Sequence, residues 1–360
     1  MKNNPFKGFQ THACTPGFLY LKLMMGAATP ELQADIQKFE SEDPVGAFWG
    51  TIGFVSPDGS GQFAVPLEGT RSVLLAVQFN DRILPGKVRD EHMKQRIADL
   101  MDREGRTPTK REFAQLRDDA EAELLPKSHI RRSVVPLLVY HDHIVIFTTS
   151  HKRGLDIVTL LFRLSNALGK DIRILPAATN DFVAQWLTAI ATADDDSCLA
   201  AMDSAVHKSA NPETNTTVRI KDKDLGEGDV QDMLRSGEYR AAELGVCVID
   251  GWRSAGVEGV TFTLTEKLIV KGMKFSDLSI RAAVGEIDKR NTTAASAAEF
   301  LGMATLVALS VSTILTIVFD ALGGEDRKAF DLEEDDGAQS PEPDEDDDDS
   351  PFDVEEDDEL

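Results

Sequence analysis

Cysteine is scarce in this 360-residue chain: Cys14, Cys198 and Cys247 are the only three. An odd number without metal-type spacing excludes a disulfide-built scaffold and fits free thiols in a reducing compartment. No basic segment followed by an apolar core opens the chain, which points to the cytosol. The sequence also lacks a Walker loop, a nucleophile elbow, a zinc cluster and any repeat of solenoid period. Gly59 and Gly61 sit in a Pro-Asp-Gly-Ser-Gly turn, but no Lys-Ser/Thr follows to make it a phosphate loop. Basic residues are missing from 331–360, which hold 18 acidic side chains. The formal net charge of −24 therefore leaves only −6 for residues 1–330. With 42% hydrophobic residues, the body is globular and large enough for a substantial core, and the tail is expected to be disordered.

Along the body, residues 17–25 read as a strand and 31–39 as a short helix. Residues 44–69 are rich in Gly, Pro and Ser and suggest loops and short strands. The apolar run 72–79 predicts a buried strand. Two helices follow, about 87–103 and 109–124, the second opened by a Thr109/Glu112 capping box. Residues 133–150 have the pattern of a β-hairpin, with β-branched residues on both arms around His141-Asp142. A helix over 154–168 comes next. Residues 179–215 read as small, polar and partly helical, 216–221 as a strand and 228–236 as a helix. Residues 241–250 and 258–270 predict a strand pair. A last helix over about 294–322 stops at Gly323-Gly324. This mixture makes the fold α+β. It divides into an N-terminal region 1–176, a C-terminal region 177–324 and an acidic tail 325–360.

Five blocks together resemble the RdgC family, the recombination-associated DNA-binding proteins of bacteria. They are Asn80-Asp81-Arg82-Ile83-Leu84-Pro85, Glu123-Leu124-Leu125-Pro126-Lys127, the run from Val218 to Leu225, Leu268 to Leu278, and Ala321-Leu322-Gly323-Gly324-Glu325. The similarity covers roughly residues 5–326. It implies an α+β fold assembled as a ring-shaped homodimer with duplex DNA through the hole. It also implies sequence-independent binding that limits access of the RecA recombinase, and a cytoplasmic, nucleoid-associated protein without cofactor, metal or membrane.

Such binding needs cations that meet phosphates. From Arg82 to Arg153 there are 15 Lys+Arg against 11 Asp+Glu. Lys127, Arg131 and Arg132, in an acid-free stretch expected to be a loop, are the first candidates. His129 falls where relatives can place an aromatic. Arg89, Arg96 and Arg103 are seven apart and share a helical face, and Lys110 and Arg117 continue the spacing. Arg219, Lys221 and Lys223 form a second strip. The alternative is ordinary solvated faces with helix pairs such as Arg117 with Glu121. His141 and His143 have an H-x-H spacing without a third ligand, which fits a turn better than a metal site. A metal-dependent DNA exonuclease is the competing activity, although no set of convergent carboxylates stands out. Residues 300–319 are uncharged and twenty long, long enough to span a membrane, but fit a core or dimer-contact helix. The tail's Asp346–Phe352 run resembles the acidic tip by which single-strand-binding proteins recruit repair partners. Alternatively, its carboxylates compete with phosphate for the protein's own cations, or simply keep it soluble.

Overall fold

The computed structural model describes residues 5–328, except 195–197, 212, 215, 224, 250–258 and 285–291, and only the backbone of 292–296. The first part of the chain forms β1 (Gln10–Cys14), α1 (Phe18–Gly26), α2 (Pro30–Gln37), β2 (Gly50–Val55), β3 (Val65–Pro66) and β4 (Val73–Ile83). Then come α3 (Gly86–Glu104), α4 (Lys110–Leu124), β5 (His129–Val139), β6 (His143–Ile146), α5 (His151–Ala167) and β7 (Ile174–Pro176). The remainder forms α6 (Val183–Ala191), β8 (Leu199–Ser209), β9 (Thr217–Lys221), α7 (Gly228–Arg235) and β10 (Tyr239–Val248). It ends with β11 (Thr261–Thr265), β12 (Val270–Lys274), α8 (Asp277–Val284) and α9 (Thr292–Ala321). The fold is α+β, with two antiparallel sheets. The first runs β2-β4-β5-β6-β1-β7, with β3 also on β4, and the second runs β12-β11-β10-β8-β9.

Strand alternation gives the first sheet two buried faces. Val73, Leu75, Val77 and Phe79 of β4, with Val135, Leu137 and Val139 of β5, share one core with Leu19, Leu23, Ile36, Ile157 and Leu161 from α1, α2 and α5. Leu74, Leu138 and Val145 belong to the other core. It also holds Trp186 and Leu187 of α6, Leu244, Val246, Phe262 and Leu264 of the second sheet, and Val307, Val311 and Ile314 of α9. β4 and β5 run side by side for eleven residues, from Val73↔Val139 to Ile83↔His129. Their apolar halves are buried, and their polar ends reach the surface.

Two segments differ from the sequence reading. Residues 17–25 form α1, not a strand. Both faces of that run are apolar, so alternation carried no information, and Leu19 and Leu23 meet the core with helical i,i+4 spacing. Within 179–215, residues 199–209 form β8, a strand of the second sheet between β10 and β9. Its alanines and polar residues have weak strand propensity, and pairing on both edges overrides that. β1 was not anticipated either. The hairpin and the Thr109 capping box are present, and β10 pairs with β11 within the expected strand pair, but the single strand expected over 258–270 ends at Thr265 and turns at 266–269 into β12.

The apolar helix α9 is long and apolar enough to cross a membrane by length and composition. In the fold Met303, Ala304, Val307, Val311, Ile314 and Val318 are buried in the core. A Cβ at Gly302 would lie 2.6 Å from the Ala283 carbonyl oxygen of α8, so only glycine permits that helix contact. The Tyr140 hydroxyl donates to the Ala308 carbonyl at 2.8 Å, tying the first sheet to α9.

Candidate nucleic-acid interface

The acid-free stretch after α4 is not a loop. Lys127 closes a single 3-10 turn, Leu125–Lys127, and His129 to Arg132 already belong to β5. The reason is β4. Asp81 and Asn80 extend far enough to pair with Arg131 and Arg132, so the backbone hydrogen bonds of this segment are made in a sheet. All four candidate side chains, Lys127, His129, Arg131 and Arg132, are exposed. Alternation sends Arg131 and Arg132 to opposite sides of the ribbon. Arg131 lies 3.8 Å from Asp81, which also takes Arg153 at 2.9 Å. Arg132 binds both oxygens of Asp43, at 2.9 and 2.7 Å. Lys127 and His129 have no side-chain hydrogen bond or ion pair among the described residues.

The guanidinium of Arg82 organises this end of the ribbon. It donates through one terminal nitrogen to the Leu125 carbonyl and through the other to the Pro44 carbonyl. One side chain thus fixes both the turn that carries Lys127 and the loop that carries Asp43. Its planar fork suits this double role in a way an ammonium cannot reproduce.

The arginines on α3 have a different setting. Arg89 pairs with Glu121 of α4 at 3.1 Å, and Arg96 pairs with Glu123, which His92 also meets at 3.1 Å. Arg117 shares Glu121 in the i,i+4 pair its spacing predicts. Arg103 donates to the Asp99 carbonyl of its own helix. Lys110 has no side-chain partner among the described residues. The seven-residue spacing therefore places Arg89 and Arg96 along the seam between the two helices, where they bind carboxylates of α4.

A family model described as "Putative exonuclease, RdgC" matches residues 20–325. The chain belongs to the RdgC family. Similar proteins, each named recombination-associated protein RdgC, come from three pseudomonads. That of Pseudomonas syringae pathovar tomato is 27% identical over 290 residues, 77% of this chain and 85% of the relative. That of Pseudomonas putida KT2440 is 26% identical over 287 residues, with the same shares covered. That of Pseudomonas aeruginosa PAO1 is 27% identical over 296 residues, again with those shares.

In this RdgC-family chain the second basic strip lies on β9, an edge strand. Arg219 and Lys221 project to solvent without side-chain partners among the described residues. Lys223 is bound by Glu227 at 3.0 Å and Asp229 at 2.8 Å. Both ring nitrogens of His143 are engaged by carboxylates. It donates from one ring nitrogen to Asp142 at 2.8 Å and from the other to Glu325 at 3.1 Å, and stacks on Phe319. Among the described residues no group of three or more His, Cys, Asp or Glu could hold a metal ion. The tail beyond 328, including Asp346–Phe352, lies outside the described residues.

Sequence reasoning did not select Asp43, Asp81, Arg82 or Arg153 as site residues. Asp81 and Arg82 stood in the block that carried the family resemblance. Asp43 lies 89 positions from Arg132 and Arg153 lies 72 from Asp81, relations that only folding creates. Asp81 and Asp43 already hold these exposed guanidiniums, so on the DNA-binding reading proposed below they would compete with phosphate for them. Replacing both, Asp43→Asn with Asp81→Asn, is expected to tighten DNA binding about tenfold at low salt and to steepen its salt dependence. Unchanged or weaker binding in a nitrocellulose-filter titration would show that Arg131 and Arg132 are not phosphate ligands. The fold should tolerate the change, since the exposed Arg132–Asp43 pair contributes about 0–1 kcal/mol and asparagine can still accept from Arg153 at the half-buried Asp81 position.

Proposed function

We propose that this chain is a non-enzymatic, sequence-independent double-stranded DNA-binding protein that encircles DNA as a homodimer and limits RecA-dependent recombination. The observation that carries this reading is the cationic end of the β4–β5 ribbon, where Lys127, Arg131 and Arg132 are all exposed. Membership in a family whose relatives are named recombination-associated supports it. The chemistry expected of such a surface is neutralisation of phosphates rather than reading of base edges. Enclosure would then supply persistence on DNA without strong local contacts.

Gel shifts on linear and closed-circular duplexes over a range of salt test this. With about six cations on phosphates, log K should fall against log salt with a slope near −5. Enclosure predicts that complexes survive a high-salt wash on circles and slide off linear DNA. Equal loss from both would refute the ring.

The family model's own description favours a second reading, a DNA exonuclease. Incubating end-labelled linear duplex with Mg²⁺ or Mn²⁺ separates the two. Release of nucleotides, abolished by a chelator, would replace the non-enzymatic reading.

A further inference from the structure

A cavity of about 460 Å³ opens where the edge of the first sheet is interrupted. Phe9 and Thr11, two positions apart, direct their backbone groups to the same edge of β1. Along that edge the Thr11 carbonyl accepts from Ala177, just past β7, at 3.0 Å. Phe9 exchanges hydrogen bonds with Val270 of β12 at 2.9 and 3.0 Å. The cavity lies where β7 leaves off and β12 begins. Pro176 and Ala177 wall one side, Leu268 and Ile269 of the β11–β12 turn another, and Val183 at the start of α6 a third. A second cavity of about 650 Å³ continues past Phe182 and Lys267 along α6 to Arg240.

Several polar groups of this groove lack partners. The Thr11 hydroxyl has no hydrogen bond among the described residues, although Thr11 is only 6% exposed. Thr11 lies opposite Val145 in the sheet, and Val145 shares a core with Val183, so the hydroxyl is on the α6 side. A buried hydroxyl without a partner is destabilising, and its presence calls for a group that satisfies it. α6 opens without a side-chain cap, so its first N–H groups, those of Val183 and Ala184, have no intrahelical acceptor. Lys267 and Arg240 line the groove beside this helix end and have no side-chain partner among the described residues. Of the two carboxylates nearby, Glu266 is bound by Lys208. Asp181 turns towards Gly323, where an added Cβ would lie 3.0 Å from its Oδ2. The uncompensated charge is therefore positive, and the helix end reinforces it.

Phe182 indicates the rest of the ligand. It lines both cavities where they join, and it is 80% exposed. An anion alone has no use for that ring, whereas a flat heterocycle stacks on it and fills the apolar walls. A nucleoside monophosphate joins such a heterocycle to a doubly charged anion. We propose that this groove binds a nucleoside monophosphate, with the phosphate on the α6 N-terminus, Lys267 and Arg240, the base against Phe182, and an edge of the base on the Thr11 hydroxyl. The site shares no residue with the cationic end of the β4–β5 ribbon and does not rest on the DNA-binding reading.

Isothermal titration calorimetry on the full chain with AMP, adenosine and inorganic phosphate tests this. AMP should bind at least about tenfold more tightly than adenosine or phosphate. Lys267→Gln should weaken AMP about tenfold and leave adenosine unchanged. Phe182→Ala should weaken AMP and adenosine alike, about tenfold, and leave phosphate unchanged. Thr11→Val exchanges the hydroxyl for a methyl group of the same shape. It should weaken AMP severalfold while raising the Tm of the unliganded protein by about 2 °C, because the unpartnered hydroxyl is gone. A wild type that does not bind AMP, or binds it no more tightly than phosphate, overturns the proposal. AMP binding that neither Lys267→Gln nor Phe182→Ala weakens places the ligand elsewhere and overturns the site. A Thr11→Val variant with lower Tm and unchanged AMP affinity removes the hydroxyl from the site and overturns the assigned orientation of the base.

Discussion

Replacing Lys127, Arg131 and Arg132 together by alanine is expected to weaken duplex binding about a hundredfold at 0.1 M salt and to flatten the log–log salt slope by between two and three. Each phosphate contact releases about one counterion, so three lost contacts alone predict a loss of several hundredfold. The smaller figure allows for Arg131 and Arg132, which must give up Asp81 and Asp43 before they meet phosphate. The effect should be equal for all sequences, because phosphate contacts carry no base information. All three side chains are exposed, so the fold should be unaffected. The same salt titration on a chain ending at residue 330 moves the other way. Removal of 18 carboxylates should raise affinity if they compete with phosphate. A tail that instead recruits a repair protein leaves DNA affinity unchanged and loses that partner. Unaltered binding of the triple variant would reject the assignment of the site.

The second large effect is on stability and concerns His143. Burial alone would lower its pKa, but hydrogen bonds to Asp142 and Glu325, and their charge, raise it to about 9. The imidazolium therefore bridges the β5–β6 turn to the segment that follows α9. A folded pKa above the unfolded value of about 6.5 gives stabilisation that is complete below pH 6.5 and lost as pH rises through 9. Its full size is about 3 kcal/mol, and His143→Ala should cost about 2–3 kcal/mol at pH 7. His12 works in the opposite direction. Burial, and then repulsion from His151, lower its pKa to about 4. The folded state keeps it neutral, so stability falls as pH drops from 6.5 towards 4. Urea unfolding from pH 4 to 10 should therefore show a maximum near 6.5, and the alkaline decline should be weaker in the His143 variant. An alkaline limb identical in both proteins would mean that the bridge contributes nothing.

Much of the secondary structure was legible because the local signals agreed. The helical pair 87–103 and 109–124 had apolar spacing, a capping box and Gly105, which ends α3 at φ 66°. The hairpin had β-branched arms around a polar turn. Residues 17–25 failed because a run apolar on both sides has no period to read, and 199–209 failed because its strand character comes from its neighbours. The cations show the same division. Their concentration between Arg82 and Arg153 is visible in sequence, whereas their partners are not. The spacing of Arg89 and Arg96 put them on one helical face without revealing that α4 supplies Glu121 and Glu123 along it.

The sequence by itself determined the α+β class, the amphipathic helices, the family and the separation of an acidic tail from a nearly balanced body. These follow from periodicity and composition, which act over a few residues or over the whole chain. Only the tertiary structure decided that Lys127 and Arg132 share one sheet end with Asp43 and Arg82. It also decided which guanidiniums were already bound by carboxylates. Such contacts join positions tens of residues apart, and charge in a sequence has no direction until a strand or a helix gives it a face.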